Sequence, residues 1–176
     1  ATQNPIEQEG TYPLPEAQMD RFLLHVFVQH PSDSDERKIL QLVRGEESGK
    51  AGEAPPPLPQ QVIFDARREV QHVTVADAVE AYIVAIVGAT RQPGKYGDQL
   101  QNWIRVGASP RGTLALDRAS RARAWMDGRD HVLPADVQAV AHGCLRHRLI
   151  VSYEANAEGI SADTVIDEIL KHVAVA

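Results

Sequence analysis

The sequence has one cysteine, few aromatic residues and no long apolar run. The single thiol, at Cys144, excludes an intramolecular disulfide bond and fits a reducing compartment. Only 5% of the 176 residues are aromatic, although 43% are hydrophobic, so Ala, Val, Leu and Ile must supply the core, which favours helices packed on helices. No apolar run approaches the roughly 20 residues that span a bilayer, and no basic segment precedes an apolar one near residue 1. We therefore expect a cytoplasmic protein without membrane insertion.

Positive charge is also scarce. Lys and Arg total 18 against 24 Asp and Glu, which gives a net charge of −6 and no general attraction to nucleic acid or anionic lipid. We therefore expect no nucleic-acid partner. Basic residues do cluster in two segments, where we expect solvated or salt-bridged helix surface. These residues are Arg118, Arg121, Arg123, Arg129, Arg146, His147 and Arg148.

The sequence contains no phosphate-binding loop of the form GxxxxGK[ST]. The segment Gly45–Ala51 is one residue too short, follows a predicted helix rather than a strand, and has Ala51 in place of the magnesium-binding hydroxyl. The apolar run Val62–Asp65 is followed by Ala66, where a catalytic Glu would be needed. No metal site is predicted, because the candidate ligands are scattered around a helix. They are His142, Cys144 and His147.

The first 31 residues have α/β character. Pro15 suits the first turn of a helix that we expect to end at about Arg21. The run Phe22–Val28 is short, apolar and rich in Val and Phe, and it predicts a buried strand. A single strand is not stable alone, so this one needs sheet partners that the chain does not supply.

From Ser32 onward the pattern is helical, and residues 33–176 predict an all-helical bundle. A Gly- and Pro-rich loop is expected over residues 45–59, followed by a helix from about Pro59 to Val70. Caps and prolines predict where other helices begin, and Gly128 predicts where one ends. The predicted starts are Ser32, Thr74 with Asp77, Ser109 with Pro110, Pro134 and Ser161. The whole chain is therefore expected to be mainly α.

The sequence Ser109-Pro110-Arg111 carries the strongest local indication of function. Ser109 as N-cap and Pro110 as the first helical residue place Arg111 in a first turn, where free N–H groups and the helix dipole favour an anion. A cation there is unfavourable by up to about 1 kcal/mol, which either a bound phosphate or a salt bridge to a surface acid would explain. Arg21, at a helix C-terminus, and Asn4, which could cap a turn, are less specific.

Several segments together resemble the MoxR family of AAA+ ATPases over almost the whole chain. Residues 1–22 resemble the segment of this family that runs from sensor 1 to the arginine finger, and Gly107–Arg111 resembles its sensor 2. Gly128–Val132 and Leu145–Glu154 are similar to the same family. The related magnesium-chelatase ATPases share only the sparser features.

The resemblance implies a ring-shaped, hexameric ATPase that binds ATP and Mg²⁺ between subunits. Asn4 would align the attacking water and sense the γ-phosphate, Arg21 would reach into the neighbouring subunit's site, and Arg111 would contact the γ-phosphate of its own subunit. Residues 1–32 would be the remnant of an α/β core and residues 33–176 an α-helical lid. Family members act in a chaperone-like way to mature or activate partner complexes, together with a von Willebrand factor A-domain protein.

The chain departs from the family pattern because it lacks the Walker A and Walker B segments. We therefore expect this chain alone to bind no ATP tightly and to hydrolyse none, and its start in mid-sheet favours an excised fragment. One alternative is a non-catalytic helical interaction module of AAA+ ancestry. Another is a motor subunit of the magnesium-chelatase or replicative-helicase type. The sequence does not identify the client complex.

Overall fold

The computed structural model describes Thr2, residues 14–49 and residues 56–175. Within these ranges the fold is mainly α, as predicted, with one small two-stranded sheet. Contacts divide the chain into two compact units, one made of Ala1–His25 with Glu69–Ala176 and the other of Val26–Arg68. No helix in the described ranges is both long and apolar enough to cross a membrane.

The smaller unit contains helix α2 (Asp33–Glu47) and most of helix α3 (Gln60–His72). Ser32 caps α2 as predicted, because its hydroxyl oxygen accepts a hydrogen bond from the Asp35 amide at 3.3 Å. Helix α3 confirms the helix predicted after the Pro-rich segment. The predicted loop begins later than expected, since α2 continues to its end at Glu47, and residues 50–55 of that loop lie outside the described residues.

The strand predicted over Phe22–Val28 is wrong. These residues are all described, form no strand and are exposed, to 72% at Val26 and 86% at Val28. A strand is held by backbone hydrogen bonds to neighbouring strands, and no described residue pairs with this segment in that way. The amide of His25 donates instead to the carbonyl oxygen of Gly143 at 2.8 Å.

The larger unit holds the remaining elements. In chain order they are helices α1 (Glu16–Met19), α4 (Asp77–Arg91), α5 (Asp98–Trp103), α6 (Pro110–Met126), α7 (Pro134–Leu145), α8 (Tyr153–Ala157) and α9 (Ala162–His172), with strands β1 (Ile104–Val106) and β2 (Ile150–Val151). Short 3-10 turns cover Pro93–Tyr96 and Arg146–Arg148. The starts predicted at Ser109, Pro134 and Ser161 are confirmed. The stop at Gly128 is confirmed too, with a φ of 73° that favours glycine.

The core of the larger unit is formed by one face each of α4, α6, α7 and α9. Its residues recur at three- and four-residue steps along each helix, which places them on one side. Burying a large aliphatic side chain contributes about 1.5–3 kcal/mol, so these helices are held mainly by their packing. The largest buried side chains, none more than 1% exposed, include Tyr82, Ile86, Leu116, Val137, Leu145, Ile166 and Ile169.

Helix α4 begins at Asp77 as predicted, but Thr74 does not cap it. The N-cap position is Ala76, whose side chain makes no capping hydrogen bond. Thr74 binds the segment after α6 instead, because its amide donates to the Asp130 carbonyl at 2.8 Å and its own carbonyl accepts from Val132 at 2.9 Å. The Thr74 hydroxyl also donates to the Asp130 carbonyl at 3.1 Å, so the side chain is held by this long-range pairing, two residues before the N-cap position.

The antiparallel pair of β1 and β2, with Ile104 opposite Val151, was not predicted. Strands of three and two residues are too short to show a period-two pattern. Strand β1 runs directly into Gly107, and β2 comes one residue after the turn that ends at Arg148. Their pairing therefore brings the N-terminus of α6 beside the turn that follows α7.

Candidate functional site

The candidate site is centred on Asp20. This residue follows α1 directly and immediately precedes Arg21, and its Oδ2 lies 3.6 Å from Nη1 of Arg111. Of the three predicted site residues, Arg111 thus contacts the residue that directly precedes a second, Arg21. The third, Asn4, lies outside the described residues.

Arg111 lies in the first turn of α6, as predicted. The hydroxyl oxygen of Ser109 accepts a hydrogen bond from the Arg111 amide at 3.1 Å, and Pro110 occupies the first turn without needing a donor. The Ser109 hydroxyl in turn donates to the Asp20 carboxylate, with Oδ2 at 2.8 Å. Of the two explanations offered above for a cation in this turn, the structure contains the salt bridge to an acid, which is the long Arg111–Asp20 pair. The Arg111 side chain is 51% exposed and remains open to a second anion.

The loop that carries this helix start is held tightly against the end of α4. The Ala108 amide donates to the Thr90 hydroxyl at 2.9 Å, and Nε of Arg91 donates to the Ala108 carbonyl at 2.7 Å. At Gly107 the backbones approach so closely that a Cβ atom would lie 2.3 Å from the Thr90 carbonyl oxygen. Only glycine fits there without moving one of the two backbones.

Replacing Gly107 by alanine is expected to destabilise the chain by about 1–3 kcal/mol, because the added methyl group overpacks against backbone atoms that cannot turn away. Urea unfolding of the 176-residue chain, followed by tryptophan fluorescence, measures the change. Gly88→Ala is the matched control, since Gly88 lies within α4 and its Cβ would meet nothing within 4 Å. That control should be neutral or stabilising by about 0.5–1 kcal/mol. Equal stability of the two variants would contradict the close approach.

Arg148, which the sequence analysis grouped with surface basic residues, is instead buried beside the candidate site. Its side chain is only 2% exposed, and its Nε donates to Oδ1 of Asp20 at 3.1 Å. Its other nitrogens donate to backbone carbonyl oxygens, including that of Asp20 at 3.0 Å and that of Leu23 at 3.3 Å, and also those of Phe22 and Cys144. A buried charge is tolerated only when paired and hydrogen-bonded, and Arg148 meets both conditions.

The spacing of the α7 residues is the pattern that could have identified Arg148. Buried positions recur at Val137, Ala141 and Cys144 or Leu145, and the next position on that side of the helix is 148. The Arg-His-Arg run conceals this periodicity, because three basic residues in succession are typical of an exposed surface. Extending the apolar stripe by one step predicts an inward-pointing arginine.

His147 reinforces the same contact. Its Nε2 lies 3.1 Å from the Phe22 carbonyl oxygen, and its ring meets that of His25 edge to face, with centroids 5.9 Å apart. Burial, more than any other factor, lowers the pKa of His147 below its ordinary value, so the imidazole is neutral near pH 7. The neutral ring must carry its proton on Nε2 to donate to the carbonyl.

The remaining basic residues of the two clusters are largely neutralised. They form ion pairs with neighbouring acids, as expected for surface helices. These pairs are Arg121–Asp117, Arg123–Asp136, Arg129–Asp136 and Arg146–Asp163. Two exposed arginines, Arg118 of these clusters and Arg21, make no hydrogen bond or ion pair through their side chains to any other described residue.

The same part of the chain offers no metal site. In the described residues, no three His, Cys, Asp or Glu side chains are placed to hold a metal ion. His142 lies 2.9 Å from Asp167, and the buried Cys144 has its pKa raised to about 11 by burial, so its thiol is protonated near neutral pH. This arrangement of side chains can bind an anion through Arg111 and presents the guanidinium of Arg21 to solvent.

Comparison with known proteins identifies the family. Chaperone MoxR1 of Mycobacterium tuberculosis (strain ATCC 25618 / H37Rv) is 41% identical in an alignment of 179 positions that covers 99% of this chain and 45% of MoxR1. Protein MoxR of Methylorubrum extorquens is 34% identical in an alignment of 180 positions that covers 94% of this chain and 51% of that protein. The chain belongs to the MoxR family of AAA+ ATPases. It spans about half the length of these curated relatives.

The MoxR-type fold is supported by a solved structure and by two sequence families. A presumed ATPase from Cytophaga hutchinsonii ATCC 33406 superposes with a TM-score of 0.89 and 38% identity, over 99% of this chain and 52% of that one. The AAA lid domain matches residues 101–169, and the ATPase family associated with various cellular activities (AAA) matches residues 1–24. In this MoxR-family chain, Asp20 therefore belongs to the AAA segment, whereas its partners Ser109, Arg111 and Arg148 belong to the lid.

Proposed function

We propose that the protein containing this chain is a MoxR-type ring ATPase, to which the chain contributes an arginine finger and a nucleotide-sensing lid. The observation that carries the proposal is that Arg21 is exposed and forms no ion pair with another described residue, while Asp20, directly before it, lies 3.6 Å from the half-exposed Arg111. In our proposal residues 1–32 are the end of an α/β core and residues 33–176 form the lid.

The electrostatics of Arg111 support a phosphate ligand. Its ion pair with Asp20 is long, at 3.6 Å, and Asp20 already accepts hydrogen bonds from Ser109 and Arg148. Such a half-exposed pair is worth about 0–1 kcal/mol, whereas a hydrogen bond to a charged group contributes about 1.5–3 kcal/mol. A γ-phosphate of ATP would therefore compete successfully with Asp20 for this guanidinium.

The exposure of Arg21 supports a role across a subunit boundary. The Arg21 side chain is exposed and can therefore extend beyond its own subunit. In a ring it would reach the nucleotide of the next subunit and stabilise the charge that develops on the transferred phosphoryl group. Asn4 would orient the attacking water, and Mg²⁺ would accompany the ATP. We propose a cytoplasmic hexamer that serves a protein client together with a von Willebrand factor A-domain protein.

The test of this proposal is Arg111→Ala in the full-length protein. Loss of one charge-assisted contact of about 1.5–3 kcal/mol should weaken ATP binding by about 10–100-fold. Equilibrium binding of a fluorescent ATP analogue measures the affinity, and phosphate release measures turnover.

Arg123→Ala is the matched control for Arg111→Ala. Arg123 lies on the same helix, is 46% exposed and also makes a 3.6 Å pair with an aspartate, but it is about 18 Å further along at about 1.5 Å per residue. ATP affinity should be unchanged in this control. If both variants bind ATP like the wild type, Arg111 has no role in nucleotide sensing. If the intact protein has no ATPase activity, the non-catalytic interaction module becomes the better explanation.

A further inference from the structure

We propose that Arg148 and Asp20 are positioning residues that fix the arginine finger to the lid of its own subunit. This inference rests on the proposed function of Arg21 and Arg111. Through these two residues, capture of a nucleotide by the lid would be transmitted to Arg21, which acts on the nucleotide of the neighbouring subunit. Neither residue touches the reacting atoms itself.

The backbone contacts of Arg148 carry the first step of the argument. Its guanidinium donates to the carbonyl oxygens of Asp20, Phe22 and Leu23, and so holds the backbone on both sides of Arg21. The group is buried, which makes these hydrogen bonds costly to break, because the carbonyl oxygens would lose their partner. Arg21 is therefore an exposed side chain on a backbone that the lid holds in place.

Two further contacts attach the segment after Arg21 to the end of α7 and the turn that follows it. Nε2 of His147 meets the Phe22 carbonyl oxygen at 3.1 Å, and the amide of His25 donates to the Gly143 carbonyl at 2.8 Å. The stem of Arg148 packs against α6 at Gly112, where a Cβ atom would lie 3.6 Å from Cδ of Arg148, an ordinary contact distance. The end of α7 and the turn after it thus clamp the segment that follows α1.

The carboxylate of Asp20 links this clamp to the nucleotide-sensing end of α6. Its oxygens accept from Nε of Arg148 at 3.1 Å and from the Ser109 hydroxyl at 2.8 Å, and it attracts Arg111 at 3.6 Å. When Arg111 leaves Asp20 for a phosphate, the carboxylate loses one of its two cationic partners while Arg148 stays bound. The residue directly before the finger therefore responds to the ligand of the lid.

The simplest alternative is that Arg148 only stabilises the fold. A buried ion pair is weak evidence for function, since apolar side chains of similar volume are often at least as stable. A purely structural arginine would lower stability and activity in parallel, whatever residue occupies position 21. A positioning residue acts through Arg21, so its effect must disappear once Arg21 is removed.

A double-mutant cycle in the full-length protein distinguishes a positioning role of Arg148 from a purely structural one. Arg148→Lys keeps the charge but cannot reach several carbonyls at once, and we expect its kcat to fall by about 10–100-fold, as for an ångström-scale misplacement of a catalytic group. ATP affinity should stay within about twofold of wild type. The double variant Arg21→Ala/Arg148→Lys should hydrolyse ATP no more slowly than Arg21→Ala alone.

Arg146→Lys is the matched control, because Arg146 lies two residues earlier and binds Asp163 instead of the finger segment. Its kcat should equal that of the wild type.

Should Arg148→Lys fail to fold, Asp20→Asn takes its place in the cycle. This variant keeps the side-chain shape, removes the charge that links the two arginines, and should lower kcat without weakening ATP binding. The inference would be overturned if the kcat losses of the two single variants multiplied in the double variant. It would also be overturned if Arg148→Lys weakened ATP binding in parallel with its loss of kcat. Wild-type turnover in Arg21→Ala would instead overturn the proposed function itself, and the inference with it.

Discussion

Replacing Arg21 by alanine is expected to lower ATP turnover of the full-length protein by about 10³–10⁵-fold, the range that an arginine finger contributes to phosphoryl transfer. The exposed side chain has no partner among the described residues that its loss would leave unpaired, so the fold should be unaffected. Nucleotide affinity should also be retained, because the finger acts mainly on the transition state. Phosphate release and equilibrium ATP binding, measured on the same preparation, separate these two effects.

Two further substitutions sharpen this prediction. Arg21→Lys keeps the positive charge but loses the forked guanidinium, and turnover between those of the wild type and the alanine variant is expected. Gln18→Ala changes an exposed residue on α1, one turn earlier, and should leave turnover unchanged. Arg21 would have no part in the reaction if its alanine variant hydrolysed ATP as fast as the Gln18 variant.

The features that the sequence predicted correctly depend on local chemistry. Ser32, Ser109 and Ser161 each accept a hydrogen bond from an amide of the first helical turn, and such a cap is determined by a few adjacent residues. The glycine stop at residue 128 is equally local. The position of Arg111 in a first turn follows from the cap, and so part of the candidate site could be predicted.

The features that were missed depend on residues far apart in the chain. Phe22–Val28 has strand composition, but a strand requires partners, and composition does not provide them. Thr74 pairs with residues 130–132 instead of capping α4. Arg148 is bonded to residues more than 120 positions away, and although the spacing along α7 indicates that position 148 points inward, it does not reveal these partners. The sequence therefore predicted the helical position of Arg111 but not the contacts that Arg111 and Arg148 make with Asp20.

Asp20 and Asp136 differ in how their ion pairs are arranged. Asp20 is shared among Arg148, Ser109 and Arg111, and one of these partners is half exposed, which leaves the carboxylate able to change partner. Asp136 is 2% exposed and accepts from both terminal nitrogens of Arg129, at 2.6 and 2.7 Å. Such a forked, buried pair fixes geometry, because two parallel hydrogen bonds hold both groups and removing either partner leaves the other charge without its strongest contact. We therefore assign Asp136 to stability alone.

Asp136→Ala is expected to destabilise the chain by about 3–5 kcal/mol, the cost of breaking a buried ion pair from one side. Besides Arg129, the carboxylate accepts from the Leu133 amide at 2.8 Å, so the start of α7 would also lose its cap. Urea unfolding followed by tryptophan fluorescence measures the loss, and Trp125 is well placed because its Nε1 donates to Glu69 in the same region.

The pH dependence of this stability has a definite sign. The hydrogen bond from Arg129 holds the pKa of Asp136 below its ordinary value of about 3.9. The stabilisation is thus fully present above about pH 4 and is lost as the pH falls through the lowered pKa. In the Asp136→Ala variant, unfolding free energy should fall less steeply with pH below about 4 than in the wild type.

Asp127→Ala provides the control, because Asp127 binds the same arginine at 2.9 Å through a carboxylate that is 51% exposed. An exposed pair contributes about 0–1 kcal/mol, so this variant should unfold close to the wild type and keep its acid dependence. Equal losses in both variants would mean that burial of Asp136 adds nothing, and that Arg129 is held by its exposed partner as strongly as by its buried one.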